Sequence, residues 1–272
     1  MNSEYKIALL TPTRGRTDAL GRAVKSMFEL ADHPETVQII LGFDNDDTVG
    51  LEYFEKELQP WLENNSINYT AIGFDRMGYQ GLNLYYNELA RHTDSDWLFG
   101  WSDDSIMDTP GWDSKIAQHT GEFNLLKVHT HNEHPYSIFP IWPRAWYNLF
   151  GHVSRHQMID AELSQIGYML DLIKIVDIHV THDRADLTGN NHDDTQKSKV
   201  LYEGNPQNPY DFHNAEVTKR RLADCETIAN YLAEQGEDIS FWSNVKAGKQ
   251  DPWEKLKAND VNKQMVQFHM TR

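Results

Sequence analysis

Two adjacent carboxylates, Asp103 and Asp104, follow the apolar run Trp97-Leu-Phe-Gly-Trp101 and Ser102. Such a run reads as a strand buried on both faces. The residues just past its C-terminal end then face the crevice where α/β folds bind ligands. Two acids there are costly to ionise unless something positive neutralises them. A divalent cation carrying a diphosphate would do so, because hard Mg²⁺ or Mn²⁺ prefers carboxylate oxygen and keeps positions open for phosphate. The plainer alternative is a polar turn with Asp as a helix cap.

Three other groups have residue types suited to chemistry. In Thr11-Pro12-Thr-Arg14-Gly-Arg16, which follows the apolar run Lys6–Leu10, loop N–H groups and a guanidinium can hold nucleotide oxygens; surface arginines on a loop are the alternative. Asp160 and Glu162 lie two residues apart at the start of an expected helix and point in different directions; acids there also complement the helix dipole. His129, His131 and His134 have a metal-like composition, but their spacing is no recognised zinc pattern and no Cys helps. With Tyr136, Phe139, Trp142 and Trp146 beside them, they read as the wall of an acceptor site or as core packing.

The elements that must position these groups are legible from hydrophobic pattern. Strands are expected at Lys6–Leu10, Val37–Phe43, Asn68–Gly73 and Trp97–Trp101. Between them lie helical faces through Leu20/Val24/Met27/Phe28, Leu51/Phe54/Leu58/Leu62 and Leu82/Tyr85/Tyr86/Leu89. This alternation predicts a mostly parallel sheet covered by helices, an α/β fold. Beyond Asp104 the pattern loosens: short strands at Leu125–His129 and Ser137–Ile141, helices at Arg144–Phe150 and Gln157–Tyr168, and a strand at Leu172–Val180. Residues 183–213 read as a long polar loop, the kind that often closes over a site, and Glu216–Gln235 as an amphipathic helix.

Composition narrows the partners. The 272 residues carry a net charge of −16, with 13 Lys and Arg against 26 Asp and Glu in residues 1–182, and 12 against 15 in residues 183–272. An acidic body repels polyphosphate backbones, and the Lys219-Arg220-Arg221 and Lys246/Lys249/Lys255/Lys257 groups read as solvated helix faces. No apolar run approaches the ~20 residues of a membrane span. The single Cys225 excludes an internal disulfide framework and fits a reducing compartment. With a polar start and no visible signal peptide, a cytoplasmic location is expected.

The order of these features resembles a family-2-like glycosyltransferase of the GT-A fold, over about residues 5–185. The resemblance rests on the Thr11–Arg16 loop, Asp44 after the second strand, Arg76-Met-Gly78-Tyr-Gln-Gly-Leu-Asn83, Ser102-Asp-Asp104, Pro110-Gly-Trp112, Asp160-Ala-Glu-Leu163 and His182. It implies a nucleotide-sugar half at 1–104, an acceptor and catalytic half at 105–185, and a lid with a helical extension at 186–272. It further implies that Asp44 accepts from a base N–H, and that Arg76, Gly78 and Asn83 approach the nucleotide or sugar. Ser102 stands where the family's metal motif begins with an acid. That leaves Asp103 for the ribose or sugar and Asp104 for the cation. The family often has a metal-binding His after the strand that ends near Val180, which implies His182; strand alternation puts His179 on the opposite face. Asp160, ahead of Glu162, aligns with the general base. His131, Trp142 and Trp146 would line the acceptor site. The expected activity is inverting transfer of a sugar from a nucleoside-diphosphate donor to a hydroxyl, on a saccharide or on a hydroxymethylated DNA base such as virus-encoded transferases of this type decorate. A sugar-nucleotidyltransferase and an inert sugar-nucleotide-binding module are the alternatives.

Overall fold

The computed structural model describes residues 6–130, 134–183 and 207–254. The first four apolar runs form β1 (Ile7–Thr13), β2 (Val37–Asp44), β3 (Asn68–Phe74) and β4 (Trp97–Gly100). They pair in parallel, with β1 between β2 and β4. The intervening helices are α1 (Thr17–Glu29), α2 (Thr48–Tyr53), α3 (Gln59–Asn64) and α4 (Leu82–Leu89), with a π-helical turn at Phe54–Leu58 joining α2 to α3. Every residue of β2 and β4 is buried, as expected of strands covered on both faces. Because the chain leaves β1 toward β2 and later returns on its other side as β4, the carboxyl ends of β1 and β4 flank a topological switch point, where open α/β sheets bind ligands.

The rest of the sheet is mixed. It contains β5 (Ser105–Met107), β6 (Leu125–Thr130), β7 (Ile141–Pro143) and β8 (Ile173–His182), and the eight strands run β3-β2-β1-β4-β7-β6-β8-β5. Strand β7 is antiparallel to β4 and β6, β8 is parallel to β6, and β5 closes the edge antiparallel to β8. Helices α5 (Trp112–Ala117), α6 (Arg144–Phe150) and α7 (Ile159–Met169) connect them. Three residues carry no readable periodicity, which is why β5 has no counterpart in the sequence expectation. Its register pairs Ser105 with His182 and so folds the end of the longest strand back beside Asp104.

Strand alternation divides the core into two layers. Ile7, Leu9, Phe99 and Trp112 pack on the α1 side; Ala8, Leu10, Trp142, Trp146 and Leu163 pack on the other, together with Cys225 and Ile228 of α8 (Ala215–Glu234) and Trp242 of α9 (Ser240–Lys246). The C-terminal helices thus complete the main core. Cys225 is fully enclosed, and burial pushes its thiol far above the usual range, so it behaves as a small hydrophobe. Trp142 and Trp146 correct the sequence expectation. Both are completely buried, and the Trp146 indole N–H donates to the Phe123 carbonyl at 3.0 Å, so neither ring offers a face to an acceptor. His131 and residues 184–206 of the expected loop lie outside the described residues.

Candidate active site at the switch point

The site is assembled from the carboxyl ends of β1, β2, β4 and β8 and the first turn of α7. Leaving β1, the chain turns through Gly15, whose φ of 67° suits glycine, and its backbone N–H donates to Asp47 at 2.7 Å. Asp47 also caps α2 by accepting from Gly50. One carboxylate therefore pins the arginine loop to the loop after β2. Arg14 reaches Asp44 at 2.9 Å and also Asp46. Arg16 reaches across to β4, where one guanidinium nitrogen lies 2.9 Å from Asp103 Oδ1 and 2.9 Å from Asp104 Oδ2.

Asp103 and Asp104 sit in the turn between β4 and β5. Asp103 is buried and accepts from the Thr13 hydroxyl at 2.7 Å. Asp104 Oδ1 accepts from the Ser102 hydroxyl and lies 3.2 Å from His182 Nε2. Burial pushes the Asp103 carboxyl up, and the neighbouring Asp104 adds to this against Arg16 and Thr13. Burial also opposes ionisation of Asp104, but the hydrogen bond and charge of His182, with Arg16 and Ser102, outweigh it and hold that carboxyl below the ordinary range. The strongly acidic member of the pair is therefore the one beside the imidazole. His182 stands edge-on to Phe139, with ring centroids 5.0 Å apart. His179 points away from this site: it is exposed and stacks on His129 at 4.8 Å.

Beside the acids lies a cavity of about 150 Å³ whose lining includes Ser102, His182, Tyr86, Phe139, Gln157 and Asp160. Asp160, in the first turn of α7, is half-buried and faces this space. Glu162 is a correction. It is enclosed within the fold and accepts from the backbone N–H groups of Arg155 (2.9 Å) and His156 (3.0 Å) and from the Ser154 hydroxyl, so it organises the chain entering α7 and is closed to substrate.

The donor-side expectations divide similarly. Thr11 is corrected: it lies inside β1, opposite Leu41, fully buried and facing the α1 layer. Pro12 is half-buried on the other face of the strand. Gly78 has a φ of 67° ahead of a single 3₁₀ turn, Tyr79–Gly81, with open space where a side chain would begin. Arg76 is exposed and its charge acts on Asp46. Asn83 donates to the Ser154 carbonyl at 3.4 Å, which directs its amide toward the loop before α7.

Three site residues escaped the sequence reading. Thr13 holds Asp103, and its signal was the alternation that sets it on the same face as Thr11 but at the open end of the strand. Tyr85 donates to Asp44 and accepts from Met77 N–H at 2.8 Å. Tyr86 lines the cavity. Burial and the Asp44 bond push Tyr85 up to about 12; burial and the charges of Asp103, Asp160 and Asp104 push Tyr86 still higher. Both phenols are thus proton donors at neutral pH. Their signal was the choice of Tyr rather than Phe at two positions that packing alone would have explained.

Strand order, switch point and acidic turn together define an α/β fold with a ligand crevice at the carboxyl ends of β1 and β4. Sequence comparison finds no matching family model and no matching curated protein. Among solved structures, the chain is similar to the mannosyltransferase PcManGT from Pyrobaculum calidifontis in complex with GDP-Man and Mn²⁺, with a TM-score of 0.55 and 9% identity, covering 97% of this chain and 84% of that one. It also aligns with S. aureus TarS (TM-score 0.49, 11% identity, 72% of this chain and 42% of that one) and with TarS 1–349 in complex with UDP (0.48, 12%, 72% and 70%). At these identities the likeness is one of fold. No helix among the described residues is long and apolar enough to cross a membrane.

Proposed function

We propose that the chain is a glycosyltransferase that moves a sugar from a nucleoside-diphosphate donor to an acceptor hydroxyl, with inversion at the anomeric carbon. One observation carries the reading. The Asp103–Asp104 pair, His182 and the loop arginine Arg16 converge at the switch point, while Asp160 faces the adjoining cavity. Asp44 accepts from the base of the nucleotide, in place of the contacts it now makes with Arg14 and Tyr85. Arg14 and Arg16 turn to the diphosphate oxygens, which offer guanidinium a bidentate partner. Asp103 meets the ribose or sugar hydroxyls.

The donor set suits Mn²⁺ or Mg²⁺. Asp104 Oδ1 and His182 Nε2, 3.2 Å apart, offer a carboxylate oxygen and an imidazole nitrogen that would hold such a cation together. Among the described residues no cluster of three or more metal-ligating side chains gathers, and Asp104 and His182 are the two that would hold the cation. When bound, the cation supplies Lewis-acid stabilisation to the leaving diphosphate. His182 must then present Nε2 as a lone pair, with its proton on Nδ1.

Asp160 takes the proton from the acceptor hydroxyl as its oxygen attacks the anomeric carbon from the face opposite the leaving group. Tyr86, which keeps its proton, lines the same cavity and can offer its hydroxyl to the acceptor. The acceptor is a saccharide hydroxyl or the hydroxymethyl of a modified DNA base.

A thermal-shift panel of nucleoside diphosphates and triphosphates, with and without Mn²⁺, followed by sugar-nucleotide turnover on both acceptor classes, tests this. Cation-dependent stabilisation by GDP or UDP, with transfer to one acceptor class, is the expected result. Stabilisation by triphosphates alone would identify a nucleotidyltransferase. Diphosphate binding without hydrolysis or transfer would identify a binding module.

A further inference from the structure

Arg16 has two competing uses. In the structure a single guanidinium nitrogen is shared between the two acids of the site, 2.9 Å from Asp103 Oδ1 and 2.9 Å from Asp104 Oδ2. A cation held by Asp104 and His182 would lie beside this positive charge and be repelled by it. A diphosphate bound at the same loop would offer Arg16 a more strongly charged partner. We propose that Arg16 is an internal counter-ion that guards the carboxylate pair, releasing it only when a nucleoside diphosphate draws the guanidinium away, so that cation and nucleotide load together.

Three further observations support this, within the donor reading given above. Arg16 occupies the N-cap position of α1, makes no side-chain cap bond there, and its side chain is 28% exposed, so it is reached from solvent. The acids do not depend on Arg16 for their placement: Thr13 holds Asp103, and Ser102 and His182 hold Asp104. The two Asp104 oxygens are also divided. Oδ1 faces Ser102 and His182, and Oδ2 faces Arg16, so the ligand pair is assembled while the counter-charge stays in place. Arg14 repeats the arrangement one strand away, neutralising Asp44. An empty site is thereby kept electrically quiet, and free cation is disfavoured until donor arrives. Linkage makes the effect reciprocal, since cation bound at Asp104 favours the nucleotide-facing position of Arg16.

The test is Mn²⁺ titration of the full chain, with free Mn²⁺ read by electron paramagnetic resonance, without nucleotide and with GDP or UDP. The proteins are wild type, Arg16→Gln, Arg16→Lys and Asp104→Asn. Wild type is expected to bind Mn²⁺ weakly alone and at least about tenfold more tightly with its nucleoside diphosphate. Without nucleotide, Arg16→Gln is expected to bind Mn²⁺ about tenfold more tightly than wild type, on the usual scale of coupling between sites. Arg16→Lys, which keeps the charge and loses the fork, should fall between, and Asp104→Asn should bind none. If wild type binds Mn²⁺ with nucleotide but Arg16→Gln gains nothing without it, the guard is overturned and the donor reading stands. Should Arg16→Gln not fold, unchanged nucleotide-free affinity in Arg16→Lys overturns the guard equally. If wild type binds no Mn²⁺ with any nucleotide, both fail.

Discussion

Two acidic centres in this molecule are solved differently. Glu162 is buried and held by backbone N–H groups of Arg155 and His156 together with the Ser154 hydroxyl. Asp103 is buried and Asp104 half-buried, but their partners are side chains: Thr13, Arg16, Ser102 and His182. Backbone donors are fixed by the fold and cannot be exchanged. Side-chain donors can swing toward a ligand and leave the acid free to bind something else. The difference separates an acid that builds the scaffold from acids that can work, and it also divides Asp160 from Glu162 on a single helical turn.

The contrast can be broken by substitution, and the largest effects should fall on opposite measurements. Glu162→Ala orphans several buried donors and leaves the buried Arg221 charge without its nearby acid. It should cost about 3–5 kcal/mol in urea unfolding. A cost below about 1 kcal/mol would mean that Glu162 is not structural. Asp160→Asn should unfold like wild type and bind donor normally while turnover drops by about 10²–10⁴. Donor binding lost as fully as in Asp104→Asn would erase the proposed division of roles.

The scaffold around Glu162 also predicts a pH dependence. His156 accepts from Met158 N–H at Nδ1 and donates from Nε2 to the Tyr210 carbonyl, and burial pulls its pKa down from 6.5 to about 4. The folded form holds His156 neutral while the unfolded chain protonates it. Stability from this group is therefore present above pH 6.5 and is lost as pH falls toward 4, by up to about 3 kcal/mol. The gap in stability between wild type and His156→Gln should narrow over that window, as read by denaturant titrations at successive pH values; a constant gap would contradict it. The smallest effect concerns the corrected aromatic wall. Trp146→Phe removes the bond to Phe123 and opens a small void, costing about 1–3 kcal/mol. The KM for acceptor should stay unchanged, whereas a selective rise in that KM would restore Trp146 to the site.

The parallel half was legible because β1, β2 and β4 are apolar on both faces and its helices carry clear stripes. Asp44, Asp103 and Asp104 stood out as acids directly after apolar runs, and the family resemblance set them apart from acids that cap a turn, as Asp47 does. The mixed half hid its key contact. His182 meets Asp104 through β5, a three-residue strand with no period to detect. Burial of Trp142, Trp146 and Glu162 was equally hidden, because an aromatic cluster or a helix-start acid has the same sequence signature whether it faces a ligand or α8. Thr11 failed by one step of alternation: Thr13, not Thr11, reaches the open end of β1.

The most direct test is a crystal soaked with Mn²⁺ and the nucleoside diphosphate that stabilises the protein, measured at the manganese absorption edge. An anomalous peak bonded to Asp104 and His182, with the Arg16 head group turned to the phosphates, is the expected result. Bound nucleotide with no peak there, and Arg16 still clasping both acids, would contradict it.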